Sequence, residues 1–204
     1  MSSQQDDLKE TDTEARFEFK KEEKSAFQTE KGLTEETVRV ISKDKDEPEW
    51  MLERRLRALE QFQEMPMPTD WPGQPDLSEI DIDEIVPYIR PDIEARGGAE
   101  SWEDLPEEIQ DTFDKLGIPE AEKNALSGVG AQYESEIVYQ NMQERWEEKG
   151  VIFCDMDKAV QEHEELVREH FMTKCVPPSD NKFAALHGAI WSGGSFVYIP
   201  ENTT

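Results

Sequence analysis

Basic residues are scarce in this chain of 204 residues, which has 22 lysines and arginines against 48 aspartates and glutamates. The net charge at pH 7 is therefore −26. Non-specific binding to nucleic-acid phosphates or to anionic lipid needs Lys and Arg in excess, so this balance excludes both. Basic proteins, metal cations and salt are the partners that the composition permits.

Long apolar runs and cysteine pairs are also missing. No apolar run approaches the roughly 20 residues that span a bilayer. The first residues, MSSQQDDLKE, are polar and acidic, unlike a secretory signal or a transit peptide. Cys154 and Cys175 are 21 positions apart, which fits neither a disulfide framework nor a CxxC motif. These features predict a cytoplasmic protein.

Acidic residues are present along the whole chain rather than in one tail. Runs of them recur at Glu35-Glu36, 81–84, 103–108, 144–148 and 162–165. A uniformly acidic surface suits a very salty cytoplasm, because salt screens the repulsion between like charges. Halophilic adaptation is therefore our hypothesis, and an ordinary acidic surface of a mesophilic protein is the alternative.

Composition and periodicity divide the chain into three parts. Residues 1–31 are almost all polar and cannot bury a core, which predicts a disordered acidic tail. Residues 32–190 are predicted to be mainly helical. Thr34 can cap a helix that ends near Ser42, with Val38 and Ile41 inward. An amphipathic helix is predicted over Glu47–Met65, with an inward face of Leu52, Leu56, Leu59 and Phe62.

Glycines and apolar spacing guide the prediction for the following segments. Gly128 and Gly130 predict a turn that breaks a helix, and the apolar spacing from Tyr133 to Trp146 predicts a helix up to Gly150. Further predicted elements are a strand at Val151–Cys154, helices at Lys158–Phe171 and Asn181–Ile190, and a strand at Ser195–Ile199. That last strand has no evident partner, so residues 191–204 are predicted to begin a larger, incomplete sheet.

Two motifs that suggest chemistry are incomplete. Gly128-Val129-Gly130 lacks the third glycine of a dinucleotide-binding loop, because Tyr133 stands there. His163-Glu164-Glu165 lacks the second histidine of a zinc-protease motif, because Val167 stands there.

Four further residues could form the metal site of a small metal-dependent enzyme: Asp155, Asp157, His163 and His170. We prefer a simpler interpretation, in which the two aspartates cap a helix and the two histidines are partly buried side chains that bind no metal.

Cys154 lies in an apolar run and Cys175 lies beside Lys174, and we prefer a structural role for both. The sequence thus predicts no catalytic, cofactor-binding or metal-binding residue in this chain.

Several sequence blocks follow one another between about Gly32 and Pro200: EPEWML at 47–52 with Arg55, Leu56 and Ala58, LGIPEAE at 116–122, GVGAQY at 128–133, VPP at 176–178, NKFAAL at 181–186 and SGGSFVYIP at 192–200. In sequence and in order, these blocks resemble the N-terminal region of SufB proteins, the scaffold subunits of the SUF iron–sulfur cluster assembly machinery. The paralogous SufD resembles SufB chiefly in its later part, so this match favours SufB.

The resemblance implies a fold and a set of partners. A SufB protein pairs with SufD and the ATPase SufC in the SufBCD complex, and it receives sulfur through a delivery protein. Its helical N-terminal region precedes a right-handed parallel β-helix, of which Ser195–Ile199 would be about the first rung. The family's cluster-assembly residues lie further along, so we expect no cofactor on this segment and an iron–sulfur cluster on the full-length complex. A free-standing acidic adaptor derived from this region is the alternative.

Overall fold

The computed structural model describes residues 25–68, 77, 79–91, 105, 107, 110–111, 128–133, 136–142 and 144–203. For residues 91, 128–133 and 136–141 it describes the backbone alone. Most of the predicted tail lies outside this part of the chain. Strand β1, Ser25–Gln28, nevertheless lies within the segment predicted to be a tail, and it pairs antiparallel with β2, Ile89–Pro91. Within the described residues, no helix is both long and apolar enough to cross a membrane.

Two consecutive helices follow β1, as predicted. Helix α1 covers Glu35–Asp44, and the Thr34 hydroxyl accepts a hydrogen bond from the Thr37 amide at 3.1 Å. Val38 and Ile41 are fully buried, which confirms the predicted inward face.

Helix α2 covers Glu49–Glu64 and starts after Pro48, close to the predicted limits. Its buried face differs from the prediction, since Leu52 and Leu56 are only partly buried. The buried residues are Met51, Arg55, Ala58, Leu59 and Phe62.

The face of α2 is set by helix α6, Lys182–Ile190, which packs against it. A helix was predicted to start at Asn181, and the side chain of this residue caps α6 by accepting hydrogen bonds from the amides of Phe183 and Ala184 at 2.9 and 3.0 Å. A Cβ placed on Gly188 would lie 2.8 Å from the Ala58 Cβ. The two helices therefore approach too closely at this point for a side chain larger than that of Ala58.

A separate cluster of buried side chains forms around a short two-stranded sheet. Strand β5, Ile152–Asp155, pairs antiparallel with β6, Ser195–Tyr198. The predicted helix Lys158–Phe171 is divided at His163 into α4, Met156–Glu162, and α5, Glu164–His170. Met51 of α2 belongs to this cluster, which also includes Cys154, Ala159, Val160, Val167 and, from the end of α6, Trp191.

A hairpin replaces the helix predicted before Gly150. Strands β3, Gly128–Tyr133, and β4, Glu136–Met142, pair antiparallel, and only α3, Glu144–Glu147, is helical. The predicted glycine turn and the predicted helix are both wrong here. The consecutive residues Ile137-Val138-Tyr139 are β-branched or aromatic, and this strand preference outweighs the coincidental helical spacing.

The described part of the chain is thus a mixture of helices and short strands, in agreement with the sequence prediction of a mainly α fold with short β elements (α+β). All three sheets in this part are two-stranded and antiparallel, and none of them contains a parallel pair. A rung of a parallel β-helix is therefore not present among the described residues. Strand β6 also has a partner, β5, along one edge, so the prediction of a lone strand was wrong.

Candidate functional site

The most enclosed polar group of the described chain is the ion pair between Glu47 and Arg55. Their side chains are 2% and 0% exposed, and two hydrogen bonds of 2.7 and 2.5 Å join the guanidinium to the carboxylate. Arg55 also donates to the Ala189 carbonyl at 3.1 Å and lies 4.5 Å from the ring centre of Trp191. The pair joins α2 to the end of α6 and is closed to solvent, so its role is structural.

A second buried network ties α1 to α4. The Lys45 ammonium, 2% exposed, pairs with the Asp157 carboxylate. Beside it, the Tyr88 hydroxyl donates to Asp44 at 2.9 Å, and Arg90 pairs with the same carboxylate. Asp157, a candidate cap or cation ligand in the sequence, is therefore the counter-ion of a buried lysine.

The other candidate metal ligands lie apart. Asp155 caps α4 by accepting a hydrogen bond from the Asp157 amide at 3.3 Å, as the capping interpretation predicts. The His163 ring stacks on Phe196 with centroids 6.2 Å apart, while His170 is exposed at the other end of α5. Across the described ranges, no three His, Cys, Asp or Glu side chains are grouped as a metal site would require.

The two cysteines occupy opposite environments. Cys154 is 8% exposed in β5, and Cys175 is exposed in the loop after α5. Burial, with the nearby Asp155 and Glu162 carboxylates adding to it, raises the pKa of the Cys154 thiol to about 11. At neutral pH Cys154 is therefore a protonated, packed thiol, which supports the structural role inferred from its apolar neighbours in sequence.

Alkylation should distinguish these thiols. With iodoacetamide at pH 7.5, we expect Cys175 to react first and Cys154 at least about tenfold more slowly, because only the thiolate attacks and each unit of pKa lowers its fraction tenfold. Mass spectrometry of timed samples measures both rates, and urea should make them similar. Native labelling of Cys154 as fast as Cys175 would contradict this prediction.

The outer part of β6 exposes apolar side chains. Val197 is 57% exposed, Tyr198 37%, and the following Ile199 61%. Within the described chain β6 pairs only with β5, so its other edge has no strand beside it. An exposed apolar strand with a free edge is a surface that favours pairing with further β structure. It is the candidate interaction surface of this chain.

Comparisons with known proteins identify the family. The model of the SufBD protein N-terminal region matches residues 103–204. Three similar curated relatives are described as iron–sulfur cluster assembly SufBD family proteins. They come from Staphylococcus haemolyticus (56% identical over 187 residues, 92% of this chain and 39% of the relative), Staphylococcus saprophyticus (55% over 186 residues, 91% and 38%) and Staphylococcus aureus strain USA300 (54% over 187 residues, 92% and 39%).

The chain spans about two fifths of the length of these relatives. Half of the chain matches the family model, and more than half of the aligned residues are identical to each relative. The resemblance found in the sequence blocks is thereby confirmed at the level of the family. The chain belongs to the SufBD family of iron–sulfur cluster assembly proteins.

Proposed function

We propose that this chain is the N-terminal part of a SufB scaffold, which works with SufD and the ATPase SufC in the SufBCD complex. The complex would assemble iron–sulfur clusters and transfer them to apoproteins in the cytoplasm. The ordered SufB-like blocks, from EPEWML at 47–52 to SGGSFVYIP at 192–200, favour SufB over SufD. In this proposal the chain is a scaffold and not an enzyme, and the ATPase activity belongs to SufC.

The exposed strand β6 is the structural observation on which the proposal rests most. Its SufB-like sequence places Val197 and Ile199 on one face of the strand, since alternate residues of a strand point the same way. We infer that the following part of the scaffold covers this face and pairs with the free edge, as the first rung of a parallel β-helix would. The helices α2 and α6 would then close the end of that β-helix, whose terminal rung would otherwise be exposed.

Co-purification of the full-length protein tests the proposed surface. The double variant Val197→Asp/Ile199→Asp should lose most of its association with tagged SufC and SufD, because two buried carboxylates would disrupt the covered strand. Val176→Asp is the matched control, since Val176 is also exposed, at 58%, but lies outside β6. Retention of both partners by the double variant would contradict the proposed covering of β6.

A deletion tests contact with the sulfur-delivery protein. In pull-downs, full-length protein should capture this donor more strongly than protein lacking residues 1–190. Equal capture by both would contradict a role of this region in sulfur delivery. A reading frame that stops after Thr204 would instead favour the free-standing adaptor.

Reconstitution tests the division of labour within the scaffold. We propose that this segment binds no cofactor, so the 204-residue chain mixed with ferrous iron and a sulfur source should yield no stable visible absorption of a cluster. Full-length protein with SufC and SufD should yield it under the same conditions. Stoichiometric cluster formation by the 204 residues alone would contradict this division.

The salt hypothesis predicts a large effect on stability. With a net charge of −26, the folded chain repels itself, and molar salt shortens the range of this repulsion to about 3 Å. We expect the Tm to rise by about 5 °C or more between 0.1 M and 2 M KCl, as 1–2 kcal/mol would produce in a chain of this size. Sucrose of equal osmolality is the control, and equal Tm values in both KCl solutions would contradict the hypothesis.

A further inference from the structure

A cavity of about 210 Å³ lies between α2 and the loop that follows α5. Its polar wall contains Arg54, Arg57, Gln61 and Ser179, and its apolar part contains Met172 and Pro178. None of the residues that line it is acidic, although the chain has 48 acidic residues against 22 basic ones. The two guanidiniums therefore give the wall of the cavity a positive charge, whereas the net charge of the chain is negative.

Arg57 supplies a guanidinium without a counter-ion. It is exposed, and no carboxylate of the described residues pairs with it. Its Nε donates a hydrogen bond to the Glu53 carbonyl at 3.4 Å, which is long and leaves both Nη groups available. A planar guanidinium with two adjacent free N–H groups matches the oxygens of an oxyanion in a bidentate manner.

Arg54 makes the wall of the cavity rigid. Its two Nη groups donate to the Phe171 and Arg168 carbonyls at 2.6 and 3.1 Å, which holds the end of α5 against α2. Burial, followed by the positive charges of Arg57 and Arg168, lowers the pKa of Arg54. Arg168 has a partner in Glu164 at 2.8 Å, so the unneutralised charge at the cavity comes from Arg54 and Arg57.

The remaining lining defines the chemistry and size of a ligand. The side chains of Gln61 and Ser179 make no hydrogen bond with another described residue, so an amide and a hydroxyl are available as donors. Thr173 also lines the cavity, but its hydroxyl already donates towards the carbonyls of Glu169 and His170. The volume of about 210 Å³ is far larger than the roughly 10–15 Å³ that a single water needs, so the cavity has room for a group of several heavy atoms.

We propose that this cavity binds the phosphate or sulfate group of a small molecule. Arg57 contacts the oxyanion through two N–H groups, Arg54 adds positive charge, and Gln61 and Ser179 donate to the remaining oxygens. Met172 and Pro178 contact the part of the molecule that carries the group. The site is independent of the exposed strand β6 and goes beyond the scaffold role.

Isothermal titration of the 204-residue chain with sulfate and with inorganic phosphate tests the site at one constant ionic strength set with KCl. We expect saturable binding of one anion per chain. Arg57→Gln should weaken it at least tenfold, because the bidentate contact is lost while the exposed position leaves the fold unchanged. Arg39→Gln is the matched control, since Arg39 is an exposed helical arginine paired with Glu35 at 2.7 Å, and its affinity should stay within twofold.

Two further measurements complete the test. Gln61→Ala should weaken sulfate binding about threefold while the unfolding temperature shows that the variant is folded. Acetate should compete at least tenfold less well than sulfate, because a planar carboxylate leaves part of the donor set unused. Absence of saturation, equal binding by wild type and Arg57→Gln, or equal competition by acetate would each overturn the proposal.

Discussion

Replacement of Arg55 by methionine is expected to lower the free energy of unfolding by about 3–5 kcal/mol, because it leaves the Glu47 carboxylate buried without its partner. The Glu47 side chain is only 2% exposed and cannot regain water without opening the corner between α1 and α2. The Ala189 carbonyl loses its donor as well, and Trp191 loses the guanidinium over its ring. Urea denaturation in 0.5 M KCl measures the change.

The control for this prediction is an ion pair on the surface. Arg39→Met removes the partner of Glu35, but those side chains are 52% and 64% exposed, so a cost of at most about 1 kcal/mol is expected. The double variant Glu47→Leu/Arg55→Met should recover most of the loss, since apolar residues of similar size often replace a buried ion pair without penalty. A cost of Arg55→Met no larger than that of Arg39→Met would contradict the buried-pair argument.

Gly188→Ala is expected to destabilise the chain by about 1–3 kcal/mol through overpacking between α2 and α6. The added Cβ would lie 2.8 Å from the Ala58 Cβ and 3.0 Å from the Pro178 Cγ, both closer than carbon atoms approach without strain. Alanine favours a helix over glycine by about 1 kcal/mol, so helix propensity alone predicts the opposite sign. Thermal or urea unfolding of the single variant decides between the two.

A second substitution tests the cause. Ala58→Gly removes the nearest methyl group, so Gly188→Ala/Ala58→Gly should be more stable than the sum of the two single changes by at least about 1 kcal/mol. Recovery should be partial because the Pro178 contact remains. Strict additivity of the two substitutions would show that the helices do not meet at this point.

Local chemistry made several elements predictable. The side chains of Thr34 and Asn181 satisfy the first free amides of α1 and α6; Thr34 was predicted as a cap, and Asn181 as the start of a helix. Prolines also follow α2, and Gly193 and Gly194, which precede β6, adopt positive φ angles that glycine tolerates. The hairpin β3–β4 was missed because residues 133 to 146 satisfy a helical spacing by coincidence.

The charged groups inside the protein were not predictable. Arginine and lysine side chains are usually found at the surface of a protein. Arg55 and Lys45 are nevertheless buried, because Glu47 neutralises Arg55 and Asp157 neutralises Lys45. The oxyanion cavity was missed for a related reason. Arg57 lies on α2, while Ser179 lies in the loop after α5, more than a hundred residues later.

The sequence by itself determined the charge, the Thr34 cap of α1, the final strand and the membership of the family, because each depends on residue identity or on interactions within a few residues. Only the tertiary structure decided which face of α2 is buried, which charges pair inside, and that β5 is the partner of β6. These features depend on contacts between distant segments, whose energies no local pattern records.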